Sequence, residues 1–231
     1  MKRKHSGFTL IEIAIVLLIV GLLLGGVLKG QELINSAKVK NLAGDFKNIP
    51  LFLYAYQDKF KSLPGDDSSA ATHLAGGVKA STSGQTQGNS IIEGNWNSTT
   101  LTDESYLFWQ HVRLAELATG SSDASAAGTA SYLPANAVGG VIGIQSGSTV
   151  SANVPVFTSA AKDQPIKGAY IICSNGIFGK YAKQLDMQLD DGDTASGSMM
   201  ATPTSGYAMT AVATATADIV DATPYTVCLG V

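Results

Sequence analysis

Residues that carry catalysis are scarce in this chain of 231 residues, which has three histidines and two cysteines. It contains no Gly-x-Ser-x-Gly elbow, no His-Glu-x-x-His, no phosphate-binding loop and no cysteine–histidine set at metal-ligand spacing. An enzyme is therefore not expected. Charge is sparse too, at 14% of residues, with 15 basic against 18 acidic side chains. Leaving out Lys2, Arg3 and Lys4, the balance is 12 against 18, a side-chain net of about minus six. No basic face for nucleic acid follows from this. Gly, Ser, Thr and Ala are abundant, a composition common in exported, loop-rich β proteins.

Against this background one long apolar run stands out. From Phe8 to Leu28 only Thr9 and Glu12 are clearly polar, and a helix of that length crosses a hydrocarbon core roughly 30 Å thick. Lys2, Arg3 and Lys4 precede the run and set the orientation, N-terminus in the cytoplasm and bulk of the chain outside. A secretory signal places its small-residue cut after the apolar core. Here the small-residue junction, Ser6-Gly7, lies before it, so a cut at Gly7 leaves the span on the mature protein. Glu12 is the oddity, because a carboxylate inside a lipid-facing helix costs about 2.5–3.5 kcal/mol on insertion scales. Cleavage before Phe8 creates an α-amino group four residues earlier, to pair with Glu12 in the same chain or in a neighbouring copy. The plainer reading is an acid snorkelling near the interface of a signal anchor.

Gly7-Phe8-Thr9-Leu10-Ile11-Glu12 resembles the type IV prepilin cleavage and methylation motif of pilins, minor pilins and type II secretion pseudopilins. The resemblance implies that prepilin peptidase cuts after Gly7 and methylates Phe8, and that Glu12 guides subunits into a helical filament. It covers the first thirty or so residues. Lys29 stands where many type IVa pilins have a helix-loosening proline, although Gly25, Gly26 and Gly30 are near. The implied partners are other pilin or pseudopilin subunits, the peptidase, the inner-membrane assembly machinery and, before assembly, membrane lipid. The implied location is the bacterial inner membrane, single-pass with its bulk periplasmic, then a pilus or pseudopilus. Length and long loops favour a minor subunit. A membrane-tethered binding protein or adhesin displaying polar loops is the alternative.

Beyond the span, Leu42, Phe46, Ile49, Leu53, Tyr56 and Phe60 are spaced 4, 3, 4, 3 and 4, one face of a helix. One helix is expected from Phe8 to about Lys61, around 80 Å long, with a kink at Pro50 and an end at Leu63-Pro64-Gly65-Asp66-Asp67. Ala75–Thr100 is rich in Gly, Ser, Thr, Asn and Gln and reads as an ordered loop or exposed excursion, with Trp96 as a packing residue. Asn97-Ser98-Thr99 matches a glycosylation sequon, a tripeptide common by chance. Thr102 is read as the N-cap of a second helix whose face is Leu107, His111, Leu114 and Ala118, ending at Gly120; His111 is read as structural. Short strands are expected at Val138–Gln145, Val154–Thr158, Ile166–Ser174, Gly206–Val212 and Pro224–Leu229.

Cys173 and Cys228 both fall in expected strands. Facing an oxidising compartment they are read as a disulfide, and otherwise as two buried free thiols. Asp186, Asp190, Asp191 and Asp193 crowd around Gly192, an oxygen-rich turn able to hold Ca²⁺, though not at EF-hand spacing. The preferred reading is a short helix through Ala182, Leu185 and Leu189 that ends in a capped turn. No cofactor is expected, with Ca²⁺ at Asp190, Asp191 and Asp193 the secondary reading. The fold class is α+β, a long N-terminal transmembrane and assembly helix packed on a mainly antiparallel sheet. The expected divisions are leader 1–7, membrane helix 8–28, soluble half of the helix 29–62 and extracytoplasmic β-rich domain 63–231.

Overall fold

The computed structural model describes residues 9–123, 132–147, 165–208 and 211–231. Helix α1 spans Leu10–Phe60. The chain divides into two compact units, Met1–Lys38 and Val39–Val231. From Val39 onward α1 buries one stripe, Val39, Leu42, Ala43, Phe46, Ile49, Leu53 and Tyr56, which is the face that the 4, 3, 4, 3 spacing predicts. Pro50 does not end the helix. It removes one hydrogen bond, and the buried Phe46, Ile49 and Leu53 around it hold the helical path.

Termination follows the expected sequence. Lys61 turns into the left-handed region at φ 54°, and Gly65 does so at φ 91°. Gly65 is required twice over: its φ disfavours any side chain, and a Cβ there would overlap the backbone carbonyl of Glu104. A single turn, α2 (Ala70–His73), follows.

Helix α3 spans Glu104–Leu114, and its N-cap residue is Asp103 rather than the expected Thr102. The Asp103 carboxylate leaves the helix amides alone and instead accepts from Thr82 Oγ1 at 2.6 Å, Gln85 Nε2 at 3.2 Å and Ser98 Oγ at 2.5 Å. Every residue from Glu104 to Arg113 is buried, so a one-face reading of this helix understates it. It ends at Leu114, short of the expected stop at Gly120, and the chain leaves it through a left-handed Glu116.

Four strands form one antiparallel sheet: β1 (Ile142–Ser146), β2 (Tyr170–Phe178), β3 (Met199–Pro203) and β4 (Pro224–Gly230), in the order β1-β2-β4-β3. Helix α4 (Gly179–Leu189) leaves directly from the end of β2. The strand expected from Val138 starts only at Ile142, because Asn136 Oδ1 gathers the amides of Val138 and Gly140 into a turn. The strand expected at Ile166–Ser174 lies at Tyr170–Phe178. The strand expected at Gly206–Val212 is absent among the described residues, where Gly206 turns at φ 74°. The one expected at Val154–Thr158 lies outside them. Strand β3 was not expected, since Met-Met-Ala-Thr-Pro lacks β-branched enrichment and ends in proline. It is an edge strand, where proline is tolerated.

Alternation along the strands feeds two cores. Ile142, Ile144, Ile172, Val227 and Leu229 join the α1 stripe, α3, and Ala182 and Leu185 of α4 in the main core. On the opposite face Ile171, Cys173, Met200 and Cys228 pack with Trp96 in a smaller one. Cys173 and Cys228 are register partners on β2 and β4 and form a disulfide, S–S 2.02 Å. The architecture is the α+β class expected, a long N-terminal apolar helix plus a four-stranded antiparallel sheet, consistent with a pilin-like fold. Gly65→Ala is expected to destabilise the Val39–Val231 unit by about 2 kcal/mol or more, from left-handed strain and backbone overlap. Urea unfolding of the full chain in detergent, followed by near-UV circular dichroism, measures this; an unchanged midpoint would contradict it.

Candidate functional site

Two features carry chemistry: the start of α1, and carboxylates buried beneath the loops of the Val39–Val231 unit. At the start of α1, Thr9 precedes the first helical residue and Glu12 stands three places later. Glu12 Oε2 accepts from the backbone amide and the hydroxyl of Thr9, both at 2.8 Å, while the Glu12 amide donates to Thr9 Oγ1 at 3.3 Å. This reciprocal pair is a capping box, which satisfies two of the orphan amides at a helix start. The pattern Thr-x-x-Glu ahead of an apolar run announces it, a signal that reading Glu12 only as a charge passes over.

Beyond the cap the helix surface is apolar on all sides. Leu10, Leu17, Leu22 and Leu28 are each more than 60% exposed, at 88%, 66%, 71% and 67%. By length and composition the segment suffices to cross a membrane, and none of its most apolar stretch is buried. A patch this large needs lipid or other helices around it. Gly21, Gly25, Gly26 and Gly30 have open space where a Cβ would stand, so a second helix can approach closely there. Lys29 pairs with Glu32 at 2.7 Å where the apolar stretch ends. Gly7 and Phe8, the expected cleavage and methylation residues, lie outside the described residues.

In the second unit the polar stretch Ala75–Thr100 has no regular secondary structure. Its backbone donors go instead to buried carboxylates. Asp66 accepts from the amides of Gly88 and Ser90, Glu93 from Thr86, and Glu104 from Glu93. Asp66, Asp67, Glu93, Asp103 and Glu104 are all buried. The stretch is thus pinned from beneath. Trp96 packs as expected, its indole donating to Tyr207 Oη at 2.8 Å. His111 is structural: its Nδ1 accepts from the Gly65 amide at 2.9 Å and its Nε2–H donates to the Val78 carbonyl at 2.8 Å. Burial pushes its pKa down, which keeps the ring neutral.

The acids divide by their partners. Burial alone would raise Asp67, but hydrogen bonds from His73, Tyr56 and the Ser69 amide outweigh it and hold Asp67 low. Glu104 is pushed up to about 8, first by burial and then by the charges of Asp66 and Glu93, against the Glu93 amide. Its Oε1 meets no donor. Facing Asp66, a protonated Glu104 can donate to that carboxylate, and this satisfies both groups.

Among the sequence candidates for a cation, oxygens of Asp190 and Asp191 come within 4.8 Å of each other and of Asp186. Asp193 turns away to hold the Ala195 amide at 3.2 Å and Ser196 Oγ at 3.4 Å. Asp186 is pushed up to about 7 by burial and then by Asp191 and Asp190. The helix through Ala182, Leu185 and Leu189 forms as expected and ends at Asp190.

Residues 2–28 match the family model described as the prokaryotic N-terminal methylation motif. The chain carries the prepilin-like signature. No curated protein and no solved structure matches it. The signature marks a pilin-like or pseudopilin-like precursor and points to a structural subunit rather than an enzyme. It implies processing by prepilin peptidase and assembly with other pilins, and with the apolar helix it is consistent with a single-pass inner-membrane anchor.

Because Glu104 binds its proton more tightly folded than unfolded, its stabilising effect is complete below about pH 4.5 and is lost as pH rises toward 8. Glu104→Gln supplies a permanent N–H donor to Asp66. The variant is expected to melt several degrees higher than the parent at pH 8.5 and to lose part of the parent's decline between about pH 4.5 and pH 8, the window of that titration. Melting curves across that range would show parallel parent and variant profiles if the pair does not share a proton.

Proposed function

We propose that this chain is a minor-pilin-type structural subunit of a type IV pilus or a type II secretion pseudopilus. It inserts with Lys2, Arg3 and Lys4 in the cytoplasm, is cut between Gly7 and Phe8 by prepilin peptidase and is methylated on Phe8. The observation that carries this reading is a methylation motif leading directly into the exposed apolar stretch of α1, up to Leu28, whose sole acid, Glu12, sits in a capping box.

The physics of assembly follows from that acid. In a lone subunit in lipid, the Thr9 amide and hydroxyl occupy one Glu12 oxygen and soften the cost of burying the charge. Cleavage adds an ammonium group at Phe8, next to Thr9. In a bundle of such helices the Phe8 ammonium of one copy meets the Glu12 carboxylate of the next, and charge pairing in a low dielectric exceeds a neutral hydrogen bond. Only one stagger between neighbours achieves it, so Glu12 sets register. The apolar side chains supply adhesion, and ATP is used by other components of the machine.

Glu12→Ala is expected to insert and be processed normally but to enter filaments at least about tenfold less, the loss of one buried charge pair worth a few kcal/mol. Immunoblots of sheared filaments against membranes measure this, and parental incorporation would refute the register role. Gly7→Val is expected to retain the leader. Intact mass and N-terminal sequencing of protein from cells holding the peptidase would show methionine in the variant and N-methyl-phenylalanine in the parent; a parent beginning at methionine removes the proposal.

A further inference from the structure

Helix α4 turns Tyr181, Ala182 and Leu185 into the main core. Its outer side carries Lys180, Lys183, Gln184 and Met187, the positions that helical spacing puts on one face. With Thr216 and Asp221 these four line a surface hollow of about 280 Å³. The rim is fixed from both sides. Lys183 Nζ pairs with Asp221 at 2.6 Å, and the Lys180 amide donates to the Asp221 carbonyl at 3.3 Å. The Lys180 ammonium stands 4.9 Å from the centre of the Tyr181 ring, and among the described residues no carboxylate pairs with it. Large apolar side chains flank the same face: Met187 is 66% exposed, Val220 59% and Phe178 40%. Phe178 and Val220 are neighbours, since a Cβ on Gly179 would overlap the Val220 carbonyl.

Size and charge together select what fits this hollow. Pockets that enclose small molecules run from roughly 300 to 1,000 Å³, so this one holds a single side chain of a longer partner, the anchor-in-pocket mode of protein interfaces. Its walls are apolar where it matters: the Met187 thioether adapts to the shape of a guest, and the lysine and glutamine stems offer methylene surface. Its rim is positive. The first turn of α4 contains no acid, and Lys180 adds its charge to the partial positive charge of the helix start. We propose that the outer face of α4 is a docking surface for an acidic peptide segment of a partner protein, with one large apolar side chain seated beside Met187 and an adjacent carboxylate on Lys180. Lys183 is held by Asp221 and shapes the rim, which leaves Lys180 as the group that reads the partner's charge. Phe178 and Val220 extend the contact beyond the hollow. This surface serves a partner whether or not the first unit enters a filament.

The test uses the full chain in detergent with methyl-labelled methionine, followed by nuclear magnetic resonance, the Met187 signal being identified by its loss in Met187→Leu. Three capped peptides serve as probes: Gly-Asp-Leu-Glu-Gly, Gly-Asp-Gly-Glu-Gly and Gly-Lys-Leu-Lys-Gly. The first is expected to move the Met187 methyl saturably, with a dissociation constant of about 10⁻⁴–10⁻³ M, the range open to one buried side chain and one ion pair. Met199 and Met200, buried in the sheet, should stay in place and report an intact fold. The peptide lacking leucine and the peptide bearing lysines should each bind about tenfold more weakly or worse. Lys180→Glu puts an acid where a helix start tolerates one; it is expected to lose the acidic peptide about tenfold and to gain the lysine peptide. The proposal fails if Met187 does not move at about 10 mM acidic peptide, well above that affinity range. It fails equally if the lysine or glycine peptide matches the acidic one, if Lys180→Glu keeps the parental preference, or if phosphatidylglycerol added to the detergent moves Met187 as far without peptide.

Discussion

One helix in two solvents is the constraint on which the rest of this structure depends. The apolar residues of α1 up to Leu28 are exposed around the whole circumference, while from Val39 to Tyr56 the buried residues form a single stripe. A helix apolar on every side is stable only in lipid or among other helices. One with a single stripe needs a protein core, and here that core is α3, α4 and the inner face of the sheet. The change from unbroken apolar sequence to 4, 3, 4, 3 spacing therefore marks where the chain must pass from one environment to the other. Between Leu28 and Val39 lie Lys29, Gln31, Glu32, Asn35 and Lys38, the polar residues an interface requires.

The second constraint is where the polar backbone of a long loop finds its partners. Ala75–Thr100 forms neither helix nor strand, so its amides need acceptors within reach. Asp66, Glu93 and Glu104 provide them, while Asp103 takes the side-chain donors of Thr82, Gln85 and Ser98, at the cost of packing acids close together with little basic compensation. Hydrogen bonds to charged acceptors are about twice as strong as neutral ones, which offsets part of that cost. The remainder is met at Glu104 by keeping its proton. The Leu-Pro-Gly-Asp-Asp phrase thus does two tasks: Pro64 and Gly65 end the helix, and Asp66 and Asp67 anchor what comes next.

How much of this is legible in the sequence depends on whether the signal is local. The apolar span, the buried stripe and the terminator all declare themselves within a few residues, because helical spacing and Pro-Gly turns are local rules. The strands are blurred because both faces of the sheet are covered; Tyr170-Ile-Ile-Cys reads as a continuous run, so its limits slip by about four residues. Strand β3 is invisible because its place comes from pairing with β4, a nonlocal event. At the candidate site, Asp190 and Asp191 can be found from their crowding around Gly192. Asp186 belongs to the same crowd, but its burial on α4 cannot be read from a short polar segment. The Thr9–Glu12 cap was legible and is the clearest case of a motif hidden by a second reading of the same acid.

The disulfide ties these parts together. Cys173 and Cys228 are 55 residues apart and sit opposite each other where β2 meets β4. Closing a loop of that length restricts the unfolded chain by about 4 kcal/mol in the entropic account. Within the loop lie α4, the acid turn and β3, the parts with the least local preference for their observed form. Helix α4 has only three turns, β3 is an edge strand ending in proline, and the turn between them gathers three carboxylates. None of these would be stable in isolation. Fixing both ends of the segment to the middle of the sheet lets weak elements, and a turn rich in negative charge, persist in a subunit whose first unit is committed to an apolar environment.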